Sequence, residues 1–139
     1  MADVTMIVNV VSPEKVLFTG EATQVITRIL DSGEIAFLPG HAPFLGALTE
    51  CHTRIYMTDG TITDVAVHGG FVEVSNNKVN LLSDVAELSE HIDRDRAEAA
   101  RLRAEQLLEE EHDAEAQAAL ARAHARLNAT GGIGNALNH

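Results

Sequence analysis

Tryptophan is absent from this 139-residue sequence, and cysteine and tyrosine occur once each. With Cys51 alone, neither a disulfide within the chain nor a thiolate metal cluster is available. Positive charge is scarce, because 10 Lys and Arg face 21 Asp and Glu for a net charge of −11. Such a balance argues against a nucleic-acid partner, whose phosphates require cationic surface, and against docking on anionic lipid. It favours a cationic partner. No apolar run approaches the roughly 20 residues that cross a bilayer, so insertion into lipid is not expected. Met1-Ala2-Asp3 does not open a secretory signal, which predicts an intracellular chain and makes the glycosylation form Asn128-Ala129-Thr130 a coincidence.

Signatures of chemistry are missing too. There is no G-x-x-x-x-G-K-[ST] loop, and Lys15 and Lys78 are the only lysines. Gly69-Gly70 follows an apolar run without opening a helix, and no G-x-S-x-G elbow occurs. No catalytic residue is assigned on these grounds, and an enzyme is not expected. His41, His52 and His68 lie on separate segments without H-x-H or H-x-x-x-H spacing, so no metal site is expected.

Glycine and proline divide what is present. Pro13, Pro39 and Pro43 fall in the first third, and no glycine occurs between Gly70 and Gly131. Before that gap the chain reads as short β-branched runs: Val4 to Val11, Thr23 to Leu30, Thr53 to Met57, Thr61 to His68, Phe71 to Val74 and Val79 to Leu82. Asp59-Gly60 and Asn76-Asn77 are hairpin signals between them. The spacing predicts a β-sandwich or barrel over residues 1–85.

From Asp84 the composition turns to Ala, Glu, Arg and Leu. Asp84 with Glu87 has the spacing of a capping-box start. Ile92 to Glu111 and Ala114 to Leu127 read as two helices with Asp113 as the cap between them, a C-terminal hairpin within residues 86–130. Ala97, Ala100, Ala104 and Leu107 share one face of the first, and Ala116, Leu120, Ala123 and Leu127 one face of the second. An alanine stripe buries little apolar area while favouring the helix itself, so the hairpin is either a weakly anchored moving part or a permanently docked pair. Residues 131–139 have no period and predict a disordered tail.

Gly33-Glu34-Ile35-Ala36-Phe37-Leu38-Pro39-Gly40-His41-Ala42-Pro43 joins a short apolar strand to a stiff turn presenting His41. This segment resembles the G-E-L-G-I-L-P-G-H-A-P-L-L motif of F-type ATP synthase epsilon subunits, departing at Ile35-Ala36-Phe37. Gly69-Gly70-Phe71-Val72-Glu73-Val74, Val79-Asn80-Leu81-Leu82 and the Ala/Glu/Arg hairpin are also similar to that family, in its order. The resemblance covers Val4 to Leu127. The glycine-rich tail extends past the family's usual end.

The resemblance implies a non-catalytic, peripheral part of a rotary complex on the cytoplasmic face of the inner membrane. Its sandwich would bind the gamma subunit and rest on the c-ring, and Ser32, Gly33, Glu34 and His41 resemble the turns at that base. In such relatives the hairpin folds down on the sandwich or extends along gamma to the beta and alpha subunits, where it blocks ATP hydrolysis. Ile92 to Leu127 would reach roughly 55 Å at 1.5 Å per residue. Arg122 and Arg126 resemble the basic positions of inhibitory relatives. Ile92-Asp93-Arg94-Asp95-Arg96-Ala97 is similar to the I/L-D-x-x-R-A motif of members that bind ATP without hydrolysing it. Glu87, Asp93, Arg96, Arg103, Arg122 and Arg126 fall at that site's positions, where forked guanidinium donors suit phosphate oxygens. No cofactor is required beyond such a non-catalytic ATP. A coupling wedge with an inhibitory hairpin and an ATP-sensing module are therefore both carried forward; an unrelated barrel enzyme or metal protein is the third class.

Overall fold

The computed structural model describes residues 5–111 and 114–137. Its strands are β1 (Met6–Val11), β2 (Val16–Ile29), β3 (Gly33–Phe37), β4 (Phe44–Met57), β5 (Ile62–Ser75), β6 (Lys78–Leu82) and β7 (Ala86–Leu88). A single 3-10 turn at Ser89–His91 leads into helix α1 (Arg94–Glu111), and α2 spans Ala114–Leu137. No helix among the described residues is long and apolar enough to cross a membrane.

The strands lie in the order β1-β6-β5-β4-β2-β3, and β1 also pairs with β2. β1, β6, β5, β4 and β2 therefore close on themselves, while β3 and β7 are appended at β2 and β5. Closure removes the unpaired edges through which an open sheet would recruit another chain. β1 and β6 run parallel; the other pairs are antiparallel. Period-2 alternation turns Met6, Val8 and Val10 inward against Phe37, Ile55 and Leu81, all fully buried. The interior holds one polar knot, Thr27 Oγ1 at 2.7 Å from Thr53 Oγ1 with Cys51 Sγ beside both.

Gly69-Gly70 does not separate two strands as the sequence suggested. It bends one. Both glycines have positive φ, 82° and 112°, and inward positions change from Val65 and Val67 to Val72 and Val74 across them. β4 changes phase at the facing positions, from Leu48 to Cys51. At this corner Glu50 and His68, a register pair, lie between the two phases. A Cβ on Gly70 would sit 2.1 Å from the Leu82 carbonyl oxygen, so only glycine fits. The Asn76-Asn77 turn is formed, with φ of 51° and 59°.

The β region runs on to Leu88 because Ala86, Glu87 and Leu88 pair with Val67, Ala66 and Val65. Glu87 is thus a strand residue, and the capping start expected at Asp84 does not exist. Asp93 starts α1 instead, its Oδ1 accepting from the Arg96 amide at 3.1 Å. The expected cap Asp113 lies outside the described residues. α2 also differs from the sequence reading, because its backbone stays helical past Leu127 through Gly131, Gly132 and Gly134 to Leu137. Once an alanine-rich helix is nucleated each residue adds a hydrogen bond, which offsets the roughly 1 kcal/mol cost of a glycine. α2 packs on β4 and β5, and α1 packs on α2. Ala97, Ala104, Ala116, Ala123 and Leu127 are buried, and Ala66, Ala125 and Ala129 form the seam to the sheet with Ile92 against it.

Candidate functional site

Two structural joints bring the hairpin's polar residues together: the antiparallel return of α2 over α1, and the pairing of β7 with β5. A cleft of about 390 Å3 lies between them, lined by Glu87, His91, Ile92, Asp93, Arg96, Ala97, Ala100, Arg103 and Arg126. Asp93, Arg96, Ala100 and Arg103 come from one face of α1, Glu87 from β7, and Arg126 from α2. Arg96 and Arg103 border the cleft and make no side-chain hydrogen bond or ion pair with the described residues. Three guanidinium groups against two carboxylates give it a local positive excess in an acidic chain. Forked donors at this density fit phosphate oxygens.

Five of the six positions expected for an ATP site therefore border one cleft. Arg122 does not. Its Nη2 donates to Glu115 Oε1 at 2.9 Å, two turns back along the same helix. Arg126 and Arg122 are one turn apart on α2, yet only Arg126 borders the cleft, and the Glu115 carboxylate engages Arg122.

Behind the cleft runs a charge chain that sequence reasoning missed. Arg126 Nε donates to Glu87 Oε1 at 2.6 Å. The same oxygen lies 2.8 Å from His68 Nε2, and His68 Nδ1 lies 2.7 Å from Glu50 Oε2. The His68 side chain is 3% exposed. Burial pushes the Glu87 carboxyl up, but the hydrogen bonds and charges of Arg126 and His68 together hold it below its ordinary value. The chain joins β4, β5, β7 and α2 in one line. Arg94 ties the two helices to each other, its Nη1 donating to Thr130 Oγ1 at 2.7 Å.

Ser32, Gly33, Glu34 and His41 are not gathered into one cluster. Ser32 and Gly33 lie at the entry to β3 and His41 beyond its exit. Gly33 takes the φ of 90° that its turn requires. Glu34 approaches Arg54 at 4.0 Å on the side of the barrel that α2 covers. His41 Nδ1 donates to the Ala42 carbonyl at 2.7 Å, and its ring meets Phe37 edge-on at 5.0 Å. His52 binds Asp64 at 2.6 Å. Among the described residues no three potential ligands converge as a metal group.

Away from the helices the barrel exposes an apolar stripe. Leu45 is 71% exposed, Phe71 54% and Leu82 40%. Phe71 faces Leu82 directly and Leu45 lies two positions from Phe71's other partner, Ala47, so all three share the outer face.

Two family models match the chain. One is described as "ATP synthase, Delta/Epsilon chain, beta-sandwich domain" and covers residues 5–89. The other, "ATP synthase, Delta/Epsilon chain, long alpha-helix domain", covers residues 90–131. The chain is 43% identical to the ATP synthase epsilon chain of Desulfitobacterium hafniense over 128 residues, 90% of this chain and 96% of that relative. It is 44% identical to the epsilon chain of Brevibacillus brevis over 107 residues, 77% of this chain and 80% of that relative. Among solved structures, a chain of the Euglena gracilis mitochondrial ATP synthase, OSCP/F1/c-ring, aligns with a TM-score of 0.71 at 18% identity, over 99% of this chain and 84% of that one. A chain of the Tetrahymena thermophila mitochondrial ATP synthase central stalk and c-ring aligns with a TM-score of 0.51 at 17% identity, over 66% and 69%. At these identities the likeness is one of fold.

Proposed function

The chain belongs to the delta/epsilon family of ATP synthase subunits, and we propose on that premise that it regulates ATP hydrolysis from the central stalk of an F-type enzyme. It is a non-catalytic epsilon subunit. In this reading the closed barrel is a stiff wedge between the gamma subunit and the c-ring, peripheral to the cytoplasmic face of the membrane. The Leu45, Phe71 and Leu82 stripe docks on gamma. Ser32, Gly33, Glu34 and His41 remain the proposed positions toward the ring. The helical hairpin is the regulatory part: docked on the barrel it permits rotation, and released it extends toward the beta and alpha subunits and restrains hydrolysis.

The observation that carries the regulatory reading is the half-buried chain Arg126–Glu87–His68–Glu50, beside an alanine seam that is weak by itself. Such a joint can open without unfolding the barrel. The test compares hydrolysis by the isolated catalytic head with the full chain and with a chain ending at Leu88, which keeps β7. Faster hydrolysis with the shorter chain is expected. Equal rates, with both chains bound to gamma, would reduce the hairpin to an appendage; failure of both to bind gamma would remove the stalk assignment.

A second reading, ATP sensing, is favoured by the unengaged donors of Arg96 and Arg103. A nucleotide held between α1, α2 and β7 binds the docked form alone and shifts the equilibrium by its differential affinity. ATP should raise the unfolding temperature of the full chain, and Arg103→Gln should abolish the rise. A rise that survives Arg103→Gln would place the nucleotide elsewhere.

A further inference from the structure

A second cavity, of about 430 Å3, lies on the other flank of α2, between the helix and the outer face of β2, β3 and β4. Arg28, Arg54, Glu34, His124 and Asn128 border it. It shares no residue with the α1–α2–β7 cleft. The Arg54 side chain is only 14% exposed, yet its nearest acid, Glu34, lies at 4.0 Å, beyond hydrogen-bond range. The five donors of Arg54 make no hydrogen bond to a described residue, and none of its nitrogens is sealed from solvent without a partner, so they remain open to an acceptor entering the cavity. Arg28 has no side-chain partner among the described residues.

The two arginines are neighbours. Ile26 pairs with Arg54 between β2 and β4, and Arg28 follows two positions later on the same outward face. Arg28 is also the register partner of Glu34 on β3. Like charges set diagonally across adjacent strands repel, and the nearby carboxylates, Glu34 and the Arg54 register partner Asp64, offset that without hydrogen-bonding either guanidinium. The other acid at the cavity, Glu50, is already taken by His68. On the helix side Asn128 offers an amide and His124 an imidazole, neither hydrogen-bonded to a described residue. The barrel side thus supplies two guanidinium groups with free donors beside two carboxylates, and the helix side adaptable donors.

We propose that this cavity binds a phosphate group, clamped by Arg28 and Arg54 from the barrel and by His124 and Asn128 from α2. The net charge of −11 does not exclude it, because at physiological salt charges beyond about 8 Å are screened, and within the cavity Arg28 and Arg54 match the carboxylates of Glu34 and Glu50 in number. A ligand that touches both the barrel and α2 binds the docked hairpin and not the released one, so occupancy holds the hairpin down. The inference stands on this chain's own residues and is independent of the stalk assignment.

The experiment titrates inorganic phosphate into the full chain at constant ionic strength, kept with sodium chloride, and follows arginine Nε–H and α2 backbone amide resonances. Saturable shifts are expected at Arg54, Arg28 and Ala121–Asn128. At ten times the dissociation constant, the docked-to-released ratio read by hydrogen exchange in α2 should rise about elevenfold. Arg54→Gln and the exposed Arg28→Gln should each weaken binding about tenfold or more. A parallel titration of ATP in the Arg103→Gln chain separates the sources: shifts by phosphate alone make the ligand free phosphate, and shifts by ATP alone make it a nucleotide's phosphate. No saturable shift with either ligand, shifts confined to Arg96 and Arg103, or full affinity in both arginine variants would overturn the proposal.

Discussion

Replacing Arg126 with Gln removes the charge that α2 contributes to the barrel while leaving helix propensity nearly unchanged. Both Arg126 and Glu87 have side chains 29% exposed, so their 2.6 Å bond is neither a solvent-screened surface pair nor a fully desolvated one. Hydrogen bonds to charged groups contribute about 1.5–3 kcal/mol, and about 2 kcal/mol is a fair figure for this exposure. A shift of about 2 kcal/mol lowers the docked-to-released ratio about thirtyfold. The released alanine-rich helices are marginal alone, so α1 and α2 amides should exchange about thirtyfold faster in Arg126→Gln. Barrel amides in β1 and β6 should not change. Pairing it with Glu87→Gln in a double-mutant cycle should return most of the 2 kcal/mol as coupling. Exchange in α1 and α2 at the parent rate, or a cycle with no coupling, would refute the view that this pair holds the hairpin.

Glu87 has a folded pKa below its ordinary value, so its contribution is fully present above about pH 4.3 and is lost as pH falls through the lowered value. Hairpin protection should therefore fall on acidification before barrel protection does, and protection rising toward acid pH would contradict the assignment. Gly70→Ala places a methyl carbon against the Leu82 carbonyl at 2.1 Å with φ of 112°, and should destabilise the barrel by about 3 kcal/mol or more in denaturant unfolding. Gly33→Ala, with φ of 90° but open space around it, should cost only the backbone strain of about 1–2 kcal/mol. Phe71→Ser should leave the isolated chain's melting temperature nearly unchanged and weaken gamma binding about tenfold or more in a pull-down or calorimetric titration. Unaltered gamma affinity would move the docking face off the apolar stripe.

The division of the chain into a β region and a helical hairpin was legible because the signals are local: β-branched runs with hairpin turns, then sixty residues without glycine between Gly70 and Gly131. Errors arose where a local signal had two meanings. Gly69-Gly70 reads as a break between strands, yet positive φ at both positions bends a single strand. Ala86-Glu87-Leu88 carries no β-branched residue and reads as a helix entry, yet register pairing with Val65, Ala66 and Val67 makes it a strand. The cleft was reached through a family motif, which found Asp93 and Arg96 but could not foresee that Glu115 captures Arg122. His68 was visible only as a scattered histidine. Its partners Glu50 and Glu87 stand 18 and 19 residues away and meet it only through strand register. The Arg28–Arg54 cavity was invisible for the same reason, since it needs three strands and a helix already in place.

The two parts of the molecule are held by forces of different size, and the proposed release of the hairpin rests on this difference. The barrel interior packs Phe37, Met6, Ile55, Leu81 and a set of valines at full burial, each contributing about 1.5–3 kcal/mol. The seam under α2 consists of Ala66, Ala125 and Ala129, whose methyl groups contribute about 0.8 kcal/mol apiece, with Ile92 against them. Ordering the loops and side chains of the docked joint offsets much of that gain. The Arg126–Glu87 pair is of comparable size, so in the proposed release it bears directly on the docked state. Ligand couplings between sites run at about 1–3 kcal/mol, too small to open a leucine-packed interface and large enough to move this one. On the proposed readings, an alanine seam flanked by a cleft with unengaged guanidinium donors on one side and a second such cavity on the other would let small anions govern a helical arm. Filling the seam with larger side chains would stabilise the docked form and remove that control together.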